Sequence, residues 1–445
     1  MKVCLVSMEY VLKAERALFL GKVLLVLALG CCLQAGAEDH FASLDFELRP
    51  EMIEAREAQM TVMEGTTPAQ WRVIWTEDPA RNATISWSTR APGSRHYVCY
   101  DTESRGGDDS AYRQRKMVIR SGAYTLGEKE RGKVPGAFYH HVNLTDLRPS
   151  TTYYFVLKSD ETVSRELHFT TAPGDARPFS LFYGGDSRSD QAVRMRMNMI
   201  MSLLLEKNPG IIGFTHGGDY IVSGERWEQW EAWLSQHELT TSESGRVLPI
   251  IPTRGNHDDG PLYDQIFNFP GGKGRNYFFT QLGTDAVLFT LDNCDRDAPV
   301  DPIQAKWLAA QLRWLRPANR WVTVSYHIPI YPAVKDPVIE KRVWPPIFDR
   351  YDVDLVMESD GHCVKRTVPI RGDRPDPTGI VYIGEGGLGA PQRNPHTSRW
   401  HIKPPGFVDK GDHVQVLDFS DTGLRVRVLF SDGEVPDDYM MKPRF

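Results

Sequence analysis

The sequence predicts an all-β sandwich followed by an α/β domain. Three observations predict this. Over residues 60–173, short alternating apolar segments are broken by turn residues. Over residues 177–440 the period changes, and apolar strands alternate with helical stretches. Within that second part, five strands each run directly into an acidic, amide or imidazole side chain. The chain has 445 residues, enough for two domains, and is 41% hydrophobic and 25% charged, so it is globular rather than disordered. Its formal net charge is -6, with no basic stripe or arginine-rich arm, so no nucleic-acid-binding surface is expected.

Residues 1–37 stand apart from both parts. Lys13 and Arg16 precede the apolar run LFLGKVLLVLALGCCL (18–33), and Ala35-Gly36-Ala37 follows it. That order reads as a secretory signal peptide cleaved before Glu38, with Met8 as an alternative start. The expected location is secreted, or periplasmic and cell envelope, with no membrane span left after cleavage. A retained anchor and a lipoprotein site at Cys31 are the alternatives. Cys99, Cys294 and Cys363 remain beyond the leader, too few and too sparse for a disulfide framework. Asn82-Ala83-Thr84 and Asn143-Leu144-Thr145 fit glycosylation sequons.

In the first part QWRVIWT (70–76), NATISWS (82–88), RHYVCYD (95–101), KMVIRS (116–121), HHVNL (140–144), TYYFVLKS (152–159) and RELHFTT (165–171) are the expected strands. His140-His141 is expected at the strand surface. In the second part FSLFYGG (179–185) leads to a helix over 189–208, and IIGFT (211–215) leads to a helix over 225–238. VLPIIPT, AVLFTLD, WVTVSYH, VDLVME and GIVYIG are further strands. Trp227, Trp230 and Trp233 fall at helical spacing and are expected in the core.

Asp186 follows the first of these strands, Asp219 the second, and Asn256 with His257 the third. His327 ends the strand WVTVSY, and Asp360 and His362 follow DVDLVM. In open α/β sheets ligands gather beyond the carboxyl ends of strands. Carboxylate, imidazole and amide oxygen donors suit Zn, Fe or Mn, and the absence of thiolates argues against a structural zinc site. A bridging carboxylate such as Asp219 can serve two cations, which together clamp a phosphate and acidify the attacking water.

The motifs HGGD (216–219), RGNHDD (254–259) and HIPIY (327–331), in this order, resemble those of the calcineurin-like metallophosphoesterases. With LRPSTTYYF (147–155) ahead of them, where Tyr153 resembles the corner tyrosine of a fibronectin type III module, the chain is similar to purple acid phosphatases. The resemblance implies a metallophosphoesterase-type β-sandwich flanked by helices behind a fibronectin type III-like sandwich. It implies one or two divalent or trivalent metal ions, Fe, Zn or Mn. Asp219 would bridge them, Asn256 and His327 would bind the second, and His257 would contact phosphate and assist the leaving group.

Three departures qualify the resemblance. The first motif reads Asp186-Ser187-Arg188, where the broad family places a histidine ligand. Arg188 either holds a phosphate oxygen or forms an outward salt bridge. Val222 stands where purple acid phosphatases place an iron-binding tyrosine, and Tyr220 is too near Asp219 to be its equivalent. Finally, ESDGHCVKRT (358–367) admits two registers against the family's GHxH. In the gapless one, which keeps more residues aligned, His362 joins Asp186 at the first metal and Asp360 joins the second. In the other, His362 meets His327 and Asn256, and Asp360 caps a turn. GIVYIGEGGLGAPQR (379–393) lacks a Walker lysine and is expected to pack a tight turn beside the site.

The reading is an exported phosphoesterase that hydrolyses phosphate monoesters with metal-activated water. The alternatives are a phosphodiesterase acting on nucleotide or phospholipid head-group diesters, and a degenerate, non-catalytic binding protein. The expected partner is a phosphorylated small molecule.

Overall fold

The computed structural model describes residues 48, 50–130, 133, 136–269, 275–294, 300–338 and 342–444. The expected signal peptide lies outside them. Among the described residues, no helix is long and apolar enough to cross a membrane.

Strands of the second part that are apolar along their whole length are buried on both faces, as parallel strands between layers must be. Phe179–Gly184, Ile211–His216 and Ile250–Pro252 are such strands, every residue buried, and they pair in parallel. They sit inside a ten-stranded sheet whose order is Asp437–Met441, Leu424–Phe430, His413–Phe419, Phe179–Gly184, Ile211–His216, Ile250–Pro252, Ala69–Ile74, Ala83–Thr89, Phe138–Leu144, Arg120–Ala123. The last four belong to the N-terminal part. The two parts are therefore joined edge to edge, through parallel pairing of Ile74 with Ile250.

A second sheet of the C-terminal part has seven strands, with Ala286–Thr290, Trp321–Ser325, Leu355–Met357 and Val381–Gly384 running parallel. Val324, Val356, Tyr326, Trp344 and Phe348 anchor its core. The two sheets meet near their strand ends. Tyr183 donates to the Glu358 carbonyl at 2.6 Å, and Thr253 Oγ1 lies 2.9 Å from Ser325 Oγ. Helices cover the faces: Gln191–Lys207, capped by Asp190 accepting from the Ala192 and Val193 amides; Trp227–His237; and Pro302–Leu315, with Asp301 accepting from the Ile303 amide and proline in its first turn.

The N-terminal part has its own second sheet, containing Gln114–Met117, His96–Asp101, Thr152–Ser159 and Thr162–Val163. Tyr153 ties its corner, its hydroxyl accepting from the Arg148 amide at 2.9 Å. Two expectations are corrected here. KMVIRS is two strands in different sheets: Gln114–Met117 pairs with His96–Asp101, whereas Arg120–Ala123 pairs with Phe138–Leu144. His140 and His141 are fully buried, not at the surface. His141 lies 2.6 Å from Ser86 Oγ and donates to the Gln265 carbonyl at 2.8 Å, while His140 stacks on His96 with ring centroids 3.8 Å apart. A strand between two packed layers has no free face, so even its polar residues point into the interior.

The N-terminal part also braces the loops of the second. Glu130 accepts from the Trp227 amide at 2.9 Å and so caps the helix that follows Asp219.

Candidate metal centre

Asp186, Asp219, Asp360 and His362 all adopt left-handed backbone, with φ of 54°, 58°, 66° and 60°. Non-glycine residues rarely adopt it, and such strain gathers at functional sites. Each residue leaves a buried strand, so the strand fixes where the loop begins and the turn aims the side chain. Asp186 Oδ2 accepts from the Asp360 amide at 2.8 Å, which ties the first loop to the last. Asp258, in the RGNHDD loop, accepts from the amides of Asp219, Tyr220 and Gly255 at 2.9, 3.0 and 2.7 Å. It was not singled out from the sequence, and its place in that motif was the only signal.

The side chains converge. His327 Nε2 lies 3.2 Å from Asp219 Oδ1, 3.2 Å from Asn256 Oδ1 and 3.7 Å from Asp360 Oδ1. Donors sharing one ion at bonds of about 2.0–2.2 Å stand about 3–3.5 Å apart, so this group fits a single cation. The His327 Nδ1–H donates to the Gly217 carbonyl at 2.8 Å, which points Nε2 at the carboxylates. On the other side, His362 Nε2 lies 3.1 Å from Asp186 Oδ1, and the His362 Nδ1–H donates to the Pro391 carbonyl at 3.1 Å. Asp186 Oδ1 is buried without a hydrogen-bond partner, an atom that a cation would satisfy. Ligand atoms of Asp186, Asp219 and His327 all fall within 4.8 Å of one another. His362 thus faces Asp186 and Asp360 faces His327, the placement that the gapless register requires.

The charges are strongly coupled. Burial disfavours a charged imidazole at His327, but Asp219, Asp186 and Asp360 outweigh it and push its pKa up to about 10. Burial likewise disfavours ionised Asp219, yet His327 and His257 hold it well below the carboxylate range. The same carboxylates that favour a proton on His327 would favour a metal cation in its place.

His257 is about one-third exposed at the rim, its Nδ1–H donating to the Val222 carbonyl at 2.7 Å and its Nε2 3.9 Å from Asp219 Oδ2. Arg188 points inward: Nε donates to Asp219 Oδ2 at 3.1 Å, and Nη2 lies 3.3 Å from His362 Nε2. Lys335, which nothing in the sequence marked, sits 2.5 Å from Asp360 Oδ1. Val222 is 44% exposed and contributes only its carbonyl, while Tyr220 stacks on His216 at 3.8 Å among Trp230, Trp233 and Phe267. All three tryptophans are buried, and Trp233 Nε1 donates to Ser187 Oγ at 2.9 Å, steadying the loop that carries Arg188.

Gly361, between Asp360 and His362, is required by packing rather than by a left-handed turn. The left-handed residues are its neighbours, and a Cβ on Gly361 would stand 1.6 Å from Glu385 Oε2. That carboxylate belongs to a fully buried network in which Lys365 Nζ lies 2.6 Å from both Glu358 and Glu385. The glycine-rich segment packs as expected, with a Cβ on Gly386 meeting Asp186 Oδ2 at 1.9 Å.

Metal-type donors thus gather at the strand ends of a two-sheet α/β frame. Residues 68–171 match the family described as purple acid phosphatase, N-terminal domain, and residues 196–364 match calcineurin-like phosphoesterase. The chain thus carries a purple acid phosphatase N-terminal domain followed by a calcineurin-like phosphoesterase domain, in that order. An uncharacterised protein of Mycobacterium tuberculosis (strain CDC 1551 / Oshkosh) is 24% identical over 275 residues, covering 52% of this chain and 51% of that one. The chain thus spans about half the length of the first curated relatives it matches. Purple acid phosphatase 23 of Arabidopsis thaliana is 24% identical over 293 residues, covering 56% and 62% of the two chains. The structure of purple acid phosphatase PPD1 from yellow lupin (Lupinus luteus) superposes with a TM-score of 0.69 at 16% identity, over 85% of this chain and 74% of that one, a likeness of fold.

Proposed function

We propose that the chain is an exported, metal-dependent phosphoesterase acting on phosphate monoesters, with residues 60–173 as the bracing sandwich and 177–440 as the working part. The observation that carries the reading is the spacing of Asp219, Asn256, Asp360 and His327, whose donor atoms stand 3.2–3.7 Å from His327 Nε2. These residues would hold one cation, of Fe, Zn or Mn type, and Asp186, His362 and Asp219 would face the position of another. A metal ion bound there acidifies water and draws charge from the phosphoryl oxygens.

The chain's own groups do the rest. Gly217 and Pro391 carbonyls orient the two imidazoles. Arg188 offers N–H donors to a phosphoryl oxygen. His257, held at Nδ1 by Val222, presents Nε2 to the departing alcohol and, when protonated, supplies its proton.

A second reading, a non-catalytic binding protein, is favoured by the two cationic side chains Arg188 and Lys335 already lodged against Asp219 and Asp360. Assay of stripped and of Fe-, Zn- or Mn-reloaded protein on an aryl phosphate monoester and the matching diester separates the readings. Metal-dependent release of phenol from the monoester is expected. Faster turnover of the diester would move the substrate class, and bound metal without turnover of either would favour the binding protein.

A further inference from the structure

We propose that the guanidinium of Arg188 is a built-in replacement for the first metal ion, so that the centre holds one metal beside a fixed organic cation. This rests on the metal-dependent reading above.

The two positions differ in what fills their lone pairs. The His362 Nδ1–H donates to the Pro391 carbonyl, which leaves Nε2 as the ring nitrogen that faces the site. Arg188 Nη2 lies 3.3 Å from that nitrogen, and Arg188 Nε donates to Asp219 Oδ2 at 3.1 Å. One guanidinium thus occupies both donors that a first metal would draw from His362 and Asp219. Buried Asp186 Oδ1 lies 3.1 Å from His362 Nε2 and has no hydrogen-bond partner among the described residues. At the second position, Asp219 Oδ1 and Asn256 Oδ1 stand 3.2 Å from His327 Nε2, and Arg188 bonds to neither.

The loop carrying Arg188 is fixed rather than free to swing. Ser187 Oγ lies 2.9 Å from both His216 Nε2 and Trp233 Nε1, and its carbonyl accepts from Arg194 at 2.9 Å. A guanidinium cannot be deprotonated in a protein, so its charge does not yield the position as a neutral amine would. Lys335 differs: it reaches Asp360 on a flexible stem, its side chain 26% exposed, and water can receive it when a metal takes the carboxylate. With Nε, Nη2 and Nη1 engaged, the last by Ser189 Oγ at 3.3 Å, two of the five N–H groups of Arg188 remain for a phosphoryl oxygen.

The test is metal content of the full chain, stripped, reloaded with excess Zn2+, dialysed and measured by plasma mass spectrometry. Wild type is expected to retain one equivalent. Arg188→Ala leaves Asp186, Asp219 and His362 open and is expected to retain two, as is Arg188→His. Lys335→Ala is expected to stay at one. Two equivalents in wild type would overturn the inference while leaving the metal-dependent reading intact. So would one equivalent in both Arg188→Ala and Arg188→His, each shown folded by circular dichroism, or a second equivalent gained by Lys335→Ala. No retained metal in wild type would sink the metal-dependent reading itself, and this inference with it.

Discussion

His140 and His327 are both fully buried, yet their surroundings drive them in opposite directions. His140 lies in the N-terminal sandwich, its ring nitrogens 2.8 Å from the hydroxyls of Thr89 and Ser121. Burial, followed by the neighbouring His96, pushes its pKa down to about 3. His327 faces three carboxylates and is pushed up to about 10 against its own burial. Desolvation acts on both; a nearby opposite charge decides the outcome. A buried histidine is therefore a packing group in the first setting and a cation-binding group in the second. His141, bonded to Ser86 and Gln265, sides with His140, and burial holds it well below its ordinary value.

The comparison breaks most visibly at Asp219, the carboxylate nearest His327. Asp219→Ala should lose bound metal and reduce turnover by about 10³-fold or more, since a metal's charge stabilisation is worth several kcal/mol at 1.36 kcal/mol per decade. Metal analysis beside steady-state kinetics checks this, and normal metal content would detach Asp219 from the centre. His257→Ala should lower turnover by about 10²–10⁴-fold while keeping the metal, because it removes only a proton donor. Single-turnover kinetics on metal-matched protein measures it, and unchanged turnover removes His257 from the chemistry.

On the other side of the comparison, His140→Gln should leave turnover per folded molecule unchanged but cost about 1–3 kcal/mol of stability at neutral pH, through two lost hydrogen bonds, to Thr89 and Ser121, at about 0.5–1.5 kcal/mol each. The pH dependence has a definite sign. With its folded pKa below its unfolded value, the unfolded chain binds the extra proton. Its contribution is fully present above pH 6.5 and is lost as pH falls toward about 3. Denaturant melts across this window should therefore be steeper with pH in wild type than in His140→Gln, by at most about 1.4 kcal/mol per pH unit. Equal slopes would show that His140 is not held neutral. Tyr153→Phe gives the smallest effect, about 0.5–1.5 kcal/mol from one lost hydrogen bond to the Arg148 amide. Its melts should show no change in the acid window.

Much of this architecture was legible in the sequence because it is written in local pattern. Continuous apolar runs mark strands buried on both faces, so Phe179–Gly184, Ile211–His216 and Trp321–Ser325 were visible. A polar ligand-type residue directly after such a run is visible too, which marked Asp186, Asp219, Asn256, His327, Asp360 and His362; that they come from the strand ends of two different sheets was not visible. What the sequence could not carry is any quantity that depends on residues far apart in the chain. The joining of both parts into one sheet at Ile74 and Ile250 spans 176 positions, and no local period encodes such a pairing. The burial of His140 and His141 depends on the layers closing over them. The inward turn of Arg188, the approach of Lys335 to Asp360, and the packing of Glu385 on Gly361 likewise arise only when separate loops meet. Residue type and spacing determined which chemistry this chain can assemble, because ligands and strand periods are local properties. Tertiary structure alone decided the charge and neighbours of each group, because desolvation and Coulomb interaction depend on distance in space rather than along the chain.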